Sequence, residues 1–286
     1  MIYISTGAFS KKKPTQTYKY LLKKNFSHIE FSCGKYDMEL KKIIKKNSRN
    51  IQFHNYFPPK KNPFVFNLSS TNKAILNKSI VMAKENIRNS KKVGAKYFSF
   101  HAGFRTDPLL SELGNKIEQK KIIQKKVAKK IFYQSLKKLI IYAKKYGVIL
   151  LIENNVVSKK NLKVFGENPF LLADPKEIND LFLDFQNENK NIGLLLDVGH
   201  LKISAKTLNF NLFKAHKKIT KFVKGYHLSD NDGYSDSNKP FTKNSWFWKN
   251  MSNNAKFYTI EVYNVPHQKY YKLINLTKKK IASNLK

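Results

Sequence analysis

Short apolar runs alternate with longer amphipathic segments along the whole chain. Eight of the runs have the length and composition of buried parallel strands. These runs cover residues 2–6, 28–33, 51–56, 97–101, 148–153, 192–197, 223–227 and 257–261. The segments between them predict helices at residues 14–24, 38–46, 74–93, 119–146, 211–221 and 267–282, a helix that starts at Asp174-Pro175, and a short helix near Trp246.

This alternation predicts the fold class. Strands and helices that alternate from end to end form a parallel α/β sheet. Eight such units without a glycine-rich phosphate-binding loop favour a closed (β/α)8 TIM barrel over an open sheet. No linker or change in composition marks a second domain, so we predict a single domain over residues 1–286. The longer loops follow strands three to seven, at the end of the barrel where active sites form.

Four of the predicted strands end in a side chain that can bind a metal ion. The four are separated by 44, 30 and 34 residues, which is about one strand plus one helix each time. Carboxylates and imidazoles are common metal ligands, and the carboxyl ends of barrel strands meet at one rim. We therefore predict one metal site, with the following ligands: Glu153, Asp197, His227 and Glu261.

The two glutamates among these residues suggest acid/base chemistry as well. A carboxylate at the end of so apolar a strand needs a partner, because an isolated buried charge is costly. In strands five and eight, Glu153 and Glu261 would face each other across the barrel. One could then remove a proton from a substrate and the other return it. The structural alternative is a salt bridge at the barrel rim.

Histidines also gather near the predicted mouth. His54 and His101 end strands three and four, and His200 follows Asp197 in the sequence Asp-Val-Gly-His. Each could be a structural histidine, but chance would scatter them along the chain. In the same motif, we expect Gly199 to let the chain turn back toward the mouth, and Asp197 could simply cap that turn.

Several further polar residues are ambiguous. Arg105, in the loop after strand four, could bind an anionic group of the substrate or be an ordinary surface arginine. Asp230 and Asp232, after strand seven, could support the metal ligands or form an Asx turn. Glu30 could be a polar residue of the barrel interior or a substrate contact.

The net charge of +36 invites the hypothesis of a nucleic-acid partner. However, only three of the 55 basic residues are arginines, the residue that bidentate phosphate and base recognition favours. The lysines are spread along the chain, as a compositional bias would produce. These observations disfavour nucleic acid as the partner but leave it open as an alternative. The positive field would also attract a small anionic substrate.

Cysteine usage and hydropathy bear on location. A single cysteine, Cys33, cannot form an intramolecular disulfide, which favours a reducing compartment. The first residues have the pattern of a strand rather than of a signal peptide, and no apolar run is long enough to span a membrane. We therefore predict a cytoplasmic protein with no membrane partner. The sequence leaves the oligomeric state open, with a homo-oligomer as one option.

The combined pattern resembles the xylose isomerase-like TIM barrel superfamily, which includes sugar phosphate isomerases and epimerases and endonuclease IV. The resemblance covers nearly the whole chain and is most specific in residues 94–103, 196–202 and 227–233. In the mononuclear epimerases of that superfamily, a Glu, Asp, His, Glu set binds one divalent metal, often manganese, and the two glutamates are the acid/base pair. The resemblance implies these roles for Glu153, Asp197, His227 and Glu261.

Endonuclease IV-like members hold three zinc ions, with added histidines in strands three and four and an Asp-x-His motif after strand seven. His54 and His101 match those strands, but the loop motif here is Asp236-Ser237-Asn238, with asparagine in place of histidine. An amide is a poorer zinc ligand than an imidazole. The resemblance therefore implies a site related to a three-metal centre and reduced to one divalent ion, which could be manganese, zinc, cobalt or magnesium.

The function that these patterns predict is metal-dependent isomerisation or epimerisation of a sugar or sugar phosphate through a metal-bound cis-enediolate. By the resemblance, His200 contacts the substrate, and we assign His101, His54 and Arg105 the same role. Asp230, Asp232 and Asp236 would support the site from behind the ligands. The alternatives are an abasic-site phosphodiesterase with two or three zinc ions, a related sugar dehydratase, and a non-catalytic barrel that binds an anionic partner.

Overall fold

The computed structural model describes residues 1–45, 48, 50–118 and 121–284. Within them, eight parallel strands close into one barrel in sequence order, so that the first strand pairs with both the second and the eighth. The strands are β1 Ile2–Ser5, β2 Ile29–Phe31, β3 Ile51–His54, β4 Tyr97–His101, β5 Ile149–Glu153, β6 Ile192–Asp197, β7 Val223–Leu228 and β8 Phe257–Ile260. The predicted (β/α)8 barrel is confirmed.

Helices follow the strands and cover the outside of the barrel. They are α1 Pro14–Lys23, α2 Lys73–Val93, α3 Lys125–Tyr146, α4 Lys159–Phe165, α5 Pro175–Asp184, α6 Val198–Leu208, α7 Leu212–Ile219 and α8 His267–Asn284. The helix predicted at 38–46 is a short 3-10 helix, Met38–Lys42, and Lys46 lies outside the described residues. Gln119, the predicted start of α3, also lies outside them.

The predicted helix ends have the expected capping geometry. Gly94 and Gly147 take left-handed φ values of 76° and 66° at the C-caps of α2 and α3, a conformation that glycine adopts without strain. At the start of α5, the Asp174 carboxylate accepts hydrogen bonds from the N–H groups of Lys176 and Glu177, and Pro175 occupies the first turn. The two glycines end α2 and α3 shortly before β4 and β5 begin, and Asp174 and Pro175 mark the start of α5.

Side chains alternate between the two faces of each strand. In β5, Leu150 and Ile152 belong to the large core between the sheet and the helices, whereas Leu151 belongs to a separate cluster with residues from other strands. Glu153 lies two residues beyond Leu151, on the same face of the strand. The separate apolar cluster consists of Tyr3, Tyr97, Leu151, Leu195 and Phe257. The barrel interior is therefore apolar at one end and carries polar side chains toward the carboxyl ends of the strands.

No helix in the described part of the chain is both long enough and apolar enough to cross a membrane.

Candidate metal centre

Four side chains at the carboxyl ends of β5, β6, β7 and β8 converge on one point. Each offers a ligand atom, and these atoms all lie within 4.8 Å of one another: Glu153, Asp197, His227 and Glu261. The Nδ1 atom of His227 lies 2.7 Å from Oε2 of Glu261 and 3.4 Å from Oε1 of Glu153. The structure thus brings together the residues that the sequence placed on four separate strands.

This group is buried and short of hydrogen bonds. Among the described residues, Oδ2 of the completely buried Asp197 has no hydrogen-bond partner. Buried polar atoms are normally paired, so this carboxylate oxygen, beside an imidazole nitrogen whose neighbours are carboxylates, needs an explanation. Three carboxylates around one imidazole suit a divalent cation, which would satisfy these atoms and balance their charge.

The pKa values of these groups report the same excess of negative charge. Burial raises the pKa of Asp197 to about 7, and the charges of Glu153 and Glu261 add to that effect despite the opposing influence of His200. Burial by itself would lower the pKa of His227, but Glu30, Glu261 and Glu153 raise it well above its ordinary value. A proton on His227 therefore takes the place of a cation, and metal binding at Nδ1 would release it.

The other ring nitrogen of His227 is held from below by Glu30. Its Nε2 lies 2.7 Å from Oε1 of Glu30, and Oε2 of Glu30 accepts hydrogen bonds from Gln52 Nε2 at 2.6 Å and Thr259 Oγ1 at 3.1 Å. A carboxylate at ion-pair distance from the far nitrogen of a histidine favours one orientation of the ring as a metal ligand. Of the two interpretations left open for Glu30, the structure supports a polar residue of the barrel interior.

Glu261 is oriented by hydroxyl groups. Its Oε1 accepts hydrogen bonds from Tyr263 at 2.8 Å and from Ser5 Oγ at 3.3 Å, which leaves Oε2 toward His227. Burial and the neighbouring Glu261 hold the pKa of Tyr263 well above its ordinary value, so its hydroxyl stays a donor. Gly7 is required for this contact, because a Cβ there would lie 2.1 Å from the Tyr263 hydroxyl oxygen.

Glu153 is surrounded by imidazoles instead. Its Oε2 lies 3.1 Å from His54 Nε2 and 3.5 Å from His101 Nδ1. Burial opposes its ionisation, but His101, His54 and His227 together hold the pKa of Glu153 well below its ordinary value. His54, His101 and Glu153 also form a second group of ligand atoms within 4.8 Å of one another. The two groups share Glu153.

His200 contributes from the first turn of α6. Its Nε2 lies 3.2 Å from Oδ2 of Asp236, and its Nδ1 lies 3.0 Å from the carbonyl oxygen of Asn154. The Asp197 carboxylate caps this helix, since its Oδ1 accepts the N–H of His200 at 2.8 Å while Oδ2 faces the ligand group. Asp197 therefore has both of the roles considered for it, cap and member of the cluster.

Two adjoining cavities open onto the cluster. The inner cavity, of about 170 Å³, is lined by charged and polar side chains that include Glu153, Glu261, Asn238 and Tyr263. The outer cavity, of about 250 Å³, lies between the loops that follow β4, β5 and β7. Both cavities are lined by Tyr56, His101, His200 and Asp236.

The family of the chain follows from its sequence. The family model described as xylose isomerase-like TIM barrel matches residues 21–256, which is most of the chain. The chain belongs to this family. Among curated proteins, none has a sequence that matches it significantly.

Solved structures share this fold with the chain at low sequence identity. A D-tagatose 3-epimerase-like protein has a TM-score of 0.69 at 15% identity, over 100% of this chain and 99% of its own. The 3-keto-D-glucoside 4-epimerase of E. coli has a TM-score of 0.65 at 12% identity, over 97% and 98%. The IOLI protein with a bound zinc atom has a TM-score of 0.63 at 15% identity, over 99% and 98%. At such identities the likeness establishes the fold alone.

Arg105 lies in the loop after β4, as predicted, but its side chain is engaged away from the ligand group. It is 3% exposed, and its guanidinium donates to Glu167 at 2.7 Å and to the carbonyl oxygens of Asn168 and Ile123 at 2.8 and 3.0 Å. It lines neither of the two cavities that open onto the cluster. In this member of the xylose isomerase-like family, Arg105 ties the loop after β4 to the segment that precedes α5, and these contacts lend no support to the prediction that it binds the substrate.

Asp230 and Asp232 have contacts of their own. Asp230 pairs with Lys202 at 2.6 Å and accepts from Ser245, and Asp232 accepts hydrogen bonds from the N–H groups of Tyr234 and Ser235, which is the Asx turn considered for this segment. Gly199 lies inside α6 rather than in a turn. A Cβ at Gly199 would lie 2.7 Å from Ser229 Oγ, so glycine serves the close approach of α6 to the end of β7.

Two residues of the site were missed at the sequence level. Tyr263 follows the last strand in a segment without periodicity, and nothing in its neighbourhood indicates that it reaches Glu261. Asn238 was recognised only as a departure from a histidine. Its side-chain amide donates to the carbonyl oxygen of Glu261 at 3.1 Å, and it thereby ties the loop after β7 to the end of β8.

Proposed function

We propose that this protein is a divalent-metal-dependent isomerase or epimerase of a sugar. The observation that carries the proposal is the pair of buried glutamates, Glu153 at the end of β5 and Glu261 after β8, which share one group of ligand atoms and line the same polar cavity. Two carboxylates on opposite sides of one substrate position can remove a proton from one face and deliver a proton to the other.

The residues present fit one divalent ion held by Glu153, Asp197, His227 and Glu261. The specific support for this assignment is the buried Oδ2 of Asp197, which has no hydrogen-bond partner among the described residues, next to three other ligand atoms. A mixed set of carboxylate oxygens and one imidazole nitrogen suits manganese, cobalt or zinc, whereas magnesium prefers oxygen ligands. Bound there, the ion would act as a Lewis acid toward the carbonyl and hydroxyl oxygens of the sugar.

The residues of the chain divide the proton transfers between them. One glutamate, as the carboxylate, takes the proton of the C–H bond next to the carbonyl; the electron pair of that bond forms a C=C bond, and the carbonyl π pair moves onto oxygen. For epimerisation the other glutamate must enter this step protonated, and it gives its proton to the other face of the same carbon while the carbonyl re-forms, which inverts that carbon. For isomerisation the proton held by the first glutamate goes to the neighbouring carbon, and the hydroxyl on the first carbon becomes the new carbonyl as its proton passes to the former carbonyl oxygen. His200, held by Asp236, would position a substrate hydroxyl.

The relatives support the choice of a sugar as the substrate. Two of the solved structures with this fold are named for 3-epimerase and 4-epimerase activities on sugars or glycosides, and a third carries a zinc atom. The inner cavity of this chain offers carboxylates, imidazoles and Asn238, which can bind the several hydroxyl groups of a polyol.

A second candidate, an abasic-site phosphodiesterase, has one specific observation in its favour. The group of His54, His101 and Glu153 could hold a second ion beside the first, and two ions about 3.5–4 Å apart are the usual arrangement in phosphodiesterases. Against it, Asn238 uses its amide to bind the backbone of Glu261, so the third ion of such centres lacks a ligand.

The decisive experiment combines a metal count with two activity assays. We expect one manganese, cobalt or zinc ion per chain, interconversion of ketoses or aldoses followed by NMR, and loss of that activity on exhaustive chelation. Two or three ions per chain together with nicking of a duplex that contains an abasic site would instead establish the phosphodiesterase. The variant His54→Gln serves as the matched control. It removes a ligand from the group of His54, His101 and Glu153 and none from the group of Glu153, Asp197, His227 and Glu261.

A further inference from the structure

The outer cavity extends the site beyond the metal centre. Small-molecule sites in proteins usually have volumes of about 300–1,000 Å³. The inner cavity of about 170 Å³ and the outer cavity of about 250 Å³ each fall below that range, whereas the two joined enter it. Since both are lined by Tyr56, His101, His200 and Asp236, a molecule at the metal centre can continue from one cavity into the other.

The walls of the outer cavity differ in character from those of the inner one. Aromatic and aliphatic side chains from the loops after β3, β4 and β5 and from α6 contribute to them. They include Tyr56, Phe104, Leu113, Ile117, Val156, Phe170 and Ile203. Surfaces of this kind pack against the C–H groups of a carbon chain and exclude water, which strengthens any charge pairing at their edge.

The charge at the edge of the outer cavity is positive. Lys116 and Lys160 line it, both are exposed, and within the described part of the chain neither contacts a carboxylate. The two carboxylates of the lining are already engaged. Glu112 accepts from the backbone N–H groups of Leu109 and Glu118, and Asp236 lies against His200. The two ammonium groups are therefore left for a ligand.

We propose that the outer cavity binds the non-reacting end of a phosphorylated sugar, with Lys116 and Lys160 pairing with its phosphate. This inference rests on the proposed function, because it assigns a substrate class to the same site. The two lysines would supply the positive charge for an anionic substrate that the sequence suggested for Arg105. The side chain of Arg105 is instead engaged in loop contacts.

The test compares phosphorylated and free sugars in the metal-loaded enzyme. In the double variant Lys116→Gln/Lys160→Gln, we expect KM for the phosphorylated substrate to rise about tenfold or more, with kcat changed far less, since a charge-assisted contact to phosphate is lost from ground and transition states alike. Constants for the unphosphorylated sugar should stay unchanged. Inorganic phosphate should inhibit the wild-type enzyme competitively and the double variant weakly.

The control is Lys279→Gln, an exposed lysine of α8 that lines neither cavity. This variant measures the effect of losing one positive charge away from the two cavities. Adding Lys278→Gln removes two charges and so matches the double variant. If the double variant and this control have the same KM for phosphorylated sugars, or if the enzyme prefers free sugars, the inference is overturned while the proposed function stands. Absence of activity on every free and phosphorylated sugar would instead overturn the proposed function.

Discussion

At the scale of single residues, the two glutamates of the site have different surroundings. Glu261 accepts hydrogen bonds from two hydroxyl groups, whereas Glu153 lies among imidazoles. The ligand positions could be predicted from the sequence, because each ends an apolar strand and strand ends meet at one rim of a barrel. Tyr263 could not be predicted, because its contact depends on the approach of Gly7 from the other end of the chain.

We expect Tyr263→Phe to lower kcat about tenfold while the fold is retained. The variant removes the hydrogen bond of 2.8 Å that directs Oε2 of Glu261 toward His227, and such bonds to a charged group contribute on the order of 1.5–3 kcal/mol. Steady-state kinetics at saturating metal measure the effect. A purely structural role for Tyr263 predicts lower thermal stability with unchanged kcat.

Gly7 offers an independent way to make the same change. A methyl group at this position would meet the Tyr263 hydroxyl and must displace it, so Gly7→Ala should lower kcat as Tyr263→Phe does. If the two losses arise from one hydrogen bond, the double variant is no worse than either single variant. Losses that multiply would show that the two residues act separately.

At the scale of elements, several helix boundaries could be predicted from their capping residues. Gly94, Gly147 and Asp174 mark helix ends in the sequence as they do in the structure. The helix α6 was missed, because Asp-Val-Gly-His has the composition of a turn, and only the packing of Gly199 against Ser229 makes it the first turn of a helix. The short helix α4 gave no periodic signal over its seven residues.

The dual role of Asp197 gives a prediction at this scale. Asp197→Asn keeps an N-cap for α6 but removes a charged ligand, whereas Asp197→Ala removes both. We expect both variants to lose metal affinity by a similar factor in isothermal titration. In the metal-free proteins, urea unfolding should find Asp197→Ala less stable than Asp197→Asn by about 1 kcal/mol. Equal stability of the two variants would argue against the cap.

At the scale of the whole molecule, the net charge of +36 and the site have opposite signs. Most lysines of the described residues are exposed, whereas the mouth of the barrel holds the buried carboxylates of Glu153, Asp197 and Glu261. Of the arginines, Arg105 is buried in loop contacts and Arg88 donates to Tyr142 on the outside of the helix layer, while Arg49 lies outside the described residues. The barrel itself could be predicted from strand order, whereas the direction of each arginine depends on loop geometry that no pattern encodes.

The stability of the whole molecule should depend on pH through His216, a buried residue of α7 whose Nε2 lies 3.3 Å from the Tyr226 hydroxyl. Burial lowers the pKa of His216 to about 4, so the unfolded chain takes up the proton first as pH falls below about 6.5. Stability is therefore present above pH 6.5 and is lost as pH falls toward 4, by at most about 3 kcal/mol from this group. Urea unfolding of the metal-free protein measures it, and His216→Leu should flatten that part of the profile. An unchanged slope in the variant would assign the pH dependence to other groups.

In the proposed reaction, two glutamates beside one metal ion remove a C–H proton of a sugar and return a proton to it. Hydrogen exchange in D₂O, followed by NMR on a panel of free and phosphorylated ketoses, tests it most directly. With the metal-loaded enzyme, we expect deuterium at the carbon next to the carbonyl. We expect none after exhaustive chelation, and none in folded Glu153→Gln and Glu261→Gln variants. Exchange that survives chelation, or that persists in both variants, would contradict it.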